Sequence, residues 1–200
     1  VVLATGAAHR HLGLPGEEEL VGCGVSYCAV CDGAFYTGRD VAVVGGGDTA
    51  LQDALFLANS CHHVTLIHRR DRLRGEMRLV RQVEKRGNIT ILYSHTVEEL
   101  HATNGELSGI AVKNVKTNAT QTLTVDGLFV AVGQLPQSAP FAALVNTDGG
   151  YYQAGEDTLT GCEGVFAAGD GRVKSVRQLT TAVGDGAVAG LAACRYVDAL

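Results

Sequence analysis

Val41-Ala42-Val43-Val44-Gly45-Gly46-Gly47-Asp48-Thr49-Ala50 is the stretch from which the fold can be read. An unbroken apolar run is followed at once by Gly45-x-Gly47-x-x-Ala50. Such a run suits a strand buried on both faces of a parallel sheet. In this pattern Gly45 permits a tight turn off the strand. Gly47 lets the backbone come close to a pyrophosphate, and small Ala50 lets the following helix pack against the strand. A helix beginning here presents free N–H groups and a partial positive charge to phosphates. The contacts expected with a nucleotide run through Gly45, Gly46, Gly47, Asp48, Thr49 and Ala50.

Outward from this turn the periodicity continues. Residues 48–61 carry apolar side chains at 51, 54, 55 and 58, one face of a helix. Residues 63–67 read as the next strand. Residues 74–86 repeat the helical spacing through Met77, Val80 and Val83, and Gly87 stops it. Residues 89–93 complete β-α-β-α-β, half of a doubly wound nucleotide fold. From 96 to 125 short alternating runs are broken at Asn104-Gly105 and Thr117-Asn118, an antiparallel meander. Residues 128–132 return to the buried-strand type, and 133–136 read as a domain crossing. Residues 1–4 and 164–170 read as further buried strands, the second ending in Gly169-Asp170, and 180–196 as a small-residue helix. Residues 9–24 are loop-like, with Pro15-Gly16 as a turn and Glu17-Glu18-Glu19 as a solvated run. The chain opens without Met on a strand already in progress and reads as a fragment of a longer protein.

The end of the second strand of the half selects the cofactor. An acid placed there bonds ribose hydroxyls. This chain places His68-Arg69-Arg70 there, with Arg72 and Arg74 beyond. Guanidinium groups hold a 2′-phosphate by paired charge-assisted hydrogen bonds. The expected nucleotide is therefore NADPH; the alternative is a solvated basic turn.

Cys28-Ala29-Val30-Cys31-Asp32 precedes the glycine turn. Two thiols at this spacing can bridge, and a thiolate can attack a disulfide while its neighbour resolves the mixed species. Asp32 can exchange the proton. Half of a zinc site and a purely structural thiol pair are the rival readings. Zinc normally takes four ligands, and adjacent His62-His63 do not readily aim at one ion, so no metal is expected. Cys23, Cys61, Cys162 and Cys194 have no partner spacing and read as small buried hydrophobes. His9, His11, His95 and His101 sit in no motif.

Bulk properties bound the rest. A net charge of −5 without a long basic run argues against nucleic acid or a membrane surface as the main partner. No stretch is as long as a membrane span. Six cysteines with one close pair do not resemble a secreted disulfide framework, so a cytoplasmic location is expected.

Taken in order, Cys28-Ala29-Val30-Cys31-Asp32-Gly33, Gly45-Gly46-Gly47-Asp48-Thr49-Ala50, His68-Arg69-Arg70-Asp71-Arg72-Leu73-Arg74, Gly164-Val165-Phe166-Ala167-Ala168-Gly169-Asp170 and Arg177-Gln178 resemble the bacterial low-molecular-weight thioredoxin reductases. The resemblance implies an α/β, two-domain FAD/NAD(P)-binding Rossmann-like fold, a three-layer ββα sandwich with the first part of the FAD domain missing. It implies an NADPH-binding domain at 10–133, carrying the redox pair, inserted into a partial FAD-binding domain at 1–9 and 134–200. By the same match Ala4, Thr5 and Gly6 lie near the flavin, and Gly169 and Asp170 bond its ribityl chain. Arg177 and Gln178 lie near its ring. Cys31 faces the flavin, Cys28 attacks thioredoxin and Asp32 is the general acid. Homodimers and relative rotation of the two domains also belong to the family. The family's first glycine motif, which cradles the FAD pyrophosphate, is absent here. Gln52 and Asp53 stand where acidic residues are frequent, and Gly171 where an apolar residue is more usual. A reductase feeding a peroxiredoxin, a catalytically incomplete NADPH-binding fragment and a ferredoxin-dependent relative are the competing implications. The intact thiol pair counts against the last.

Overall fold

The computed structural model describes all residues 1–200. Its strands are β1 (Val2–Leu3), β2 (Ala7–His9), β3 (Val25–Ser26), β4 (Asp40–Gly45), β5 (His63–His68), β6 (Ile89–Tyr93), β7 (His95–Thr103), β8 (Glu106–Asn114), β9 (Thr120–Leu123), β10 (Gly127–Ala131), β11 (Gln134–Pro136), β12 (Thr147–Asp148), β13 (Tyr151–Tyr152) and β14 (Phe166–Ala167). The α-helices are α1 (Ala29–Asp32), α2 (Asp48–Leu57), α3 (Met77–Lys85) and α4 (Leu179–Asp198), with short 3₁₀ turns at Gly33–Tyr36, Ala139–Phe141 and Gly169–Gly171. No helix is long and apolar enough to cross a membrane. The chain divides into two compact units, Val1–His9 with Gln134–Leu200, and Arg10–Gly133.

The continuous unit is built on a parallel five-stranded sheet in the order β3-β10-β4-β5-β6. Side chains of a strand alternate between faces, and here both faces are apolar. Val41 and Val43 of β4 pack with Leu51, Ala54 and Leu57 of α2 and with Leu79 and Val83 of α3. Ala42 and Val44 turn the other way, onto Val97, Ile110 and Val112 of the antiparallel β7-β8-β9 meander. The result is the three-layer ββα sandwich that the family resemblance implies, built around the β-α-β-α-β half read from the glycine-turn stretch. α2 stops at Leu57, short of Cys61, and α3 begins at Met77 rather than Arg74, because residues 74–76 dock on the glycine turn.

The discontinuous unit pairs β1 with β14 in parallel and β2 with β11 antiparallel. Leu3, Val145, Tyr152, Val165 and Ala167 form one core, while Phe166 and Ala168 pack on Ala189 of α4. Residues 1–4 correct the expectation of a buried strand: only Leu3 is buried, and Val1, Val2 and Ala4 are exposed.

Two further sequence expectations are overturned. Glu17 is not solvated but 2% exposed. Its carboxylate accepts the backbone N–H groups of Leu12, Gly13 and Leu14 and the hydroxyl of Tyr27. Those bonds replace the water it gives up. Of the four remaining cysteines only Cys61 is buried; Cys23 and Cys194 are exposed.

Candidate active site

β3 ends one residue before Tyr27, and the chain then turns into the single helical turn of α1. Cys28 is its N-cap: its carbonyl accepts from the N–H of Cys31 and of Asp32. This turn brings the two Cα atoms to 5.2 Å, and Cys28 and Cys31 form a disulfide. Both thiols are taken up in this bond, and no three or more His, Cys, Asp and Glu side chains are grouped so as to hold a metal ion. Cys31 is exposed and Cys28 half-buried. Ala29, buried, packs α1 into the same core as α2.

Sequence reasoning missed Ser26, at the entrance to this turn. Ser26 is 3% exposed. Its hydroxyl donates to Asp32 Oδ2 at 2.6 Å and accepts the N–H of Cys28 at 3.1 Å. The available signal was a hydroxyl in an apolar strand two residues before the first cysteine.

At the glycine turn each position has its own reason. A Cβ on Gly45 would stand 2.5 Å from the Ala131 carbonyl oxygen and 2.5 Å from the Ala50 Cβ. A Cβ on Gly46 would overlap the imidazole of His68. A Cβ on Gly47 would meet nothing within 4 Å. Gly47 is also the N-cap of α2 and supplies no side-chain acceptor, so the first-turn N–H groups suit a phosphate. Asp48 and Thr49 are exposed. Asp48 Oδ1 accepts the N–H of Glu76 at 2.6 Å, and the Gly46 carbonyl accepts the N–H of Arg74 at 2.7 Å. These bonds hold the residues after the basic run against the turn.

Within that run the structure separates His68 from the arginines. His68 is buried beneath Gly46. Burial pushes its pKa down, against backbone hydrogen bonds at Arg72 and Gly45. Arg69, Arg70, Arg72 and Arg74 are exposed and make no ion pair. Asp71, the one acid in the run, pairs instead with Lys116 at 3.2 Å. The guanidinium groups are thus left free for an external anion.

In the discontinuous unit, Thr5 and Gly6 are half-buried and Ala4 is exposed. A Cβ on Gly171 would lie 3.2 Å from Gly6 N and 3.3 Å from Thr5 Oγ1. Glycine is thus the residue that fits this close approach without displacing its neighbours. Gly169 adopts φ +74°, a conformation that favours glycine. Asp170 Oδ1 is buried with no protein partner, an arrangement that fits a ligand hydroxyl. Arg177 donates to the Asp170 carbonyl at 3.3 Å, and its guanidinium lies 4.0 Å from the Tyr151 ring centroid. Gln178 caps α4 in a reciprocal box with Thr181. A second set that sequence reasoning missed braces this turn. Asp185 accepts the Gly169 N–H at 2.9 Å and bonds Arg172 and Lys174. Its signal was an acid within an otherwise small-residue helix.

A parallel sheet with a bare glycine turn, carrying a Cys-x-x-Cys disulfide on the same core, defines a Rossmann-type protein built around a redox-capable sulfur pair. Residues 1–186 match the pyridine nucleotide-disulphide oxidoreductase family, and the chain belongs to it. It is 47% identical over 209 residues to a thioredoxin reductase of Coxiella burnetii (strain RSA 493 / Nine Mile phase I), covering 100% of this chain and 65% of that protein. A thioredoxin reductase of Bacillus subtilis (strain 168) is 41% identical over 201 residues, with 100% of this chain and 64% of that protein covered. The crystal structure of thioredoxin reductase from Streptococcus pyogenes MGAS5005 superposes with a TM-score of 0.94 at 40% identity, over 100% of this chain and 66% of that one. The chain therefore spans about two thirds of the length of these relatives.

Proposed function

We propose that this chain is the nucleotide- and disulfide-bearing portion of an NADPH-dependent flavoenzyme that reduces the disulfide of thioredoxin. The observation that carries this reading is the Cys28–Cys31 disulfide, with Asp32 beside it, on the same core as the bare glycine turn. In this reading Arg10–Gly133 is the NADPH-binding domain. Val1–His9 with Gln134–Leu200 is part of an FAD-binding domain. The unpartnered Asp170 Oδ1, with Gly169 braced beside it, fits the polyol of a flavin. Thr5 and Gly6 would line the same site, flanked by Ala4, with Arg177 and Gln178 nearer the ring. When bound, FAD supplies the two-electron relay between a nicotinamide hydride and a disulfide.

The protein's own groups do the rest. Gly45, Gly46, Gly47 and the start of α2 at Asp48, Thr49 and Ala50 receive the pyrophosphate. Arg69, Arg70 and Arg74 receive the 2′-phosphate, while buried His68 shapes the turn from beneath. Once the pair is reduced, the Cys28 thiolate attacks a thioredoxin sulfur. A Cys28–substrate bond forms, the substrate S–S bond breaks, and the departing sulfur takes a proton. The Cys31 thiolate then attacks Cys28 Sγ, the Cys28–Cys31 bond re-forms, and the second substrate sulfur leaves and is protonated. Two electrons and two protons pass to the substrate. Asp32 carries the proton between Cys31 and the leaving sulfur. The complete enzyme is a cytoplasmic homodimer in this reading, which rests on the bacterial relatives.

The test is trapping. The reduced Cys31→Ser chain is expected to form a stable mixed disulfide with oxidised thioredoxin through Cys28, and Cys28→Ser to form none. Absence of the adduct with Cys31→Ser would overturn thioredoxin as the substrate. A preferred adduct with the disulfide-bearing partner domain of a peroxiredoxin system would redirect the reading there.

A further inference from the structure

We infer that Ser26 is a positioning residue of the redox pair, its hydroxyl aiming the Asp32 carboxyl at the sulfurs during disulfide exchange. This rests on the redox reading of Cys28–Cys31, with Asp32 as its acid, but not on the identity of the substrate. Ser26 is the last residue of β3, paired with Phe129 in the parallel sheet and 3% exposed. Its backbone is thus part of the rigid frame, not of the loop that carries the thiols. The hydroxyl has one proton to give. Asp32 Oδ2 lies at 2.6 Å and the Cys28 carbonyl at 3.4 Å, so the short bond to the carboxylate claims it. The oxygen meanwhile accepts the Cys28 N–H at 3.1 Å.

The bond to the Cys28 N–H is what a serine-initiated turn requires. The bond to Asp32 is not needed for that turn. It ties one oxygen of a half-buried carboxylate to the strand end. One oxygen atom therefore ties the backbone of the first cysteine to the acid that follows the second. With Oδ2 held by Ser26, Oδ1 is the atom left to take and return the proton in the exchange written above. Groups held in productive geometry by a bond to a rigid element transfer protons faster than freely rotating ones.

The experiment compares the wild-type chain with Ser26→Ala, Ser26→Thr, Asp32→Asn and the Ser26→Ala/Asp32→Asn pair. Each is reduced, freed of reductant and mixed with oxidised glutathione. Acid quenching, alkylation and peptide mass then give the rate at which the Cys28–Cys31 bond re-forms. Ser26→Ala is expected to slow re-formation about tenfold, and Ser26→Thr, which keeps the hydroxyl, to stay within about threefold of wild type. In the Asp32→Asn background, Ser26→Ala should add less than about twofold, because the serine acts through the acid. A Ser26→Ala rate equal to wild type overturns the inference, and so does a full tenfold loss added to that of Asp32→Asn. A wild-type pair that does not exchange at all overturns the redox reading itself, a different result from either.

Discussion

Arg172 meets Asp185 through two bonds, Nε to Oδ2 at 2.8 Å and a terminal guanidinium nitrogen to Oδ1 at 2.8 Å, both side chains being almost wholly buried. Lys174 adds a third bond at 2.9 Å. The Asp185 carboxyl is held far below the usual carboxylate range, first by the Arg172 hydrogen bond, against the opposing effect of burial. Asp185→Asn would leave the Arg172 charge inside, with only the largely exposed Glu156 at 3.1 Å as a counter-ion. The expected loss is about 3–5 kcal/mol of stability at pH 7, read by denaturant unfolding. A depressed folded pKa means that the contribution is present above about pH 4 and is lost as pH falls below it. The wild type should therefore lose stability over that acid range more steeply than the variant.

Asp53, half-buried on α2, has the opposite sign. Burial pushes its pKa up to about 6. A raised folded pKa favours folding at low pH, and that advantage is lost as pH rises from about 4 through about 6. Asp53→Asn is expected to gain about 1–3 kcal/mol at pH 7.5 and little at pH 4.5. Thermal unfolding at the two pH values decides it; equal effects at both would refute the assignment.

The glycine turn allows folding and binding to be separated. Gly46→Ala must displace the buried His68 ring, so it should cost about 1–3 kcal/mol and lower the melting temperature. Gly47→Ala meets no protein atom within 4 Å and has an extended backbone at φ −97°. As an N-cap change it should cost no more than about 1 kcal/mol, less than Gly46→Ala, while on the proposed reading NADPH binding, followed by calorimetry, weakens at least about tenfold because a methyl would stand where the pyrophosphate is proposed to sit.

If the nucleotide is NADPH, as proposed, the exposed guanidinium groups of Arg69 and Arg70 are what would select it over NADH. Arg69→Ala/Arg70→Ala is expected to weaken NADPH about 10- to 100-fold, each charge-assisted bond being worth about 1.5–3 kcal/mol. NADH affinity should change by less than about threefold. An equal loss for both nucleotides would reduce the two arginines to a general electrostatic effect.

Local chemistry explains what could be read in advance. Val41 to Ala50 specify strand, turn and helix through contacts among near neighbours. The alternation of Val41 and Val43 against Ala42 and Val44 even implies two covered faces. Cys28 and Cys31 are close enough in sequence to pair without help from the fold. What escaped detection depends on distant backbone. Glu17 reads as solvated beside Glu18 and Glu19, and only the folded N–H groups of residues 12–14 make its burial tolerable. Ser26 and Asp185 look ordinary in sequence, because their partners are set by the sheet edge and by the turn at Gly169. Cys23 and Cys194 show that spacing reveals pairing but says nothing about exposure.

The ends of the continuous unit meet: the N–H of Arg10 donates to the Gly133 carbonyl at 3.0 Å. Just outside them, β2 and β11 lie side by side as a two-stranded ribbon, His9 opposite Gln134. A segment whose entrance and exit coincide is a cassette. A gene cut before Arg10 and after Gly133 should yield a freestanding piece, and the flanks it leaves need only a short hairpin to be rejoined. The same seam would let a different module be spliced into the host, or this one be carried to another.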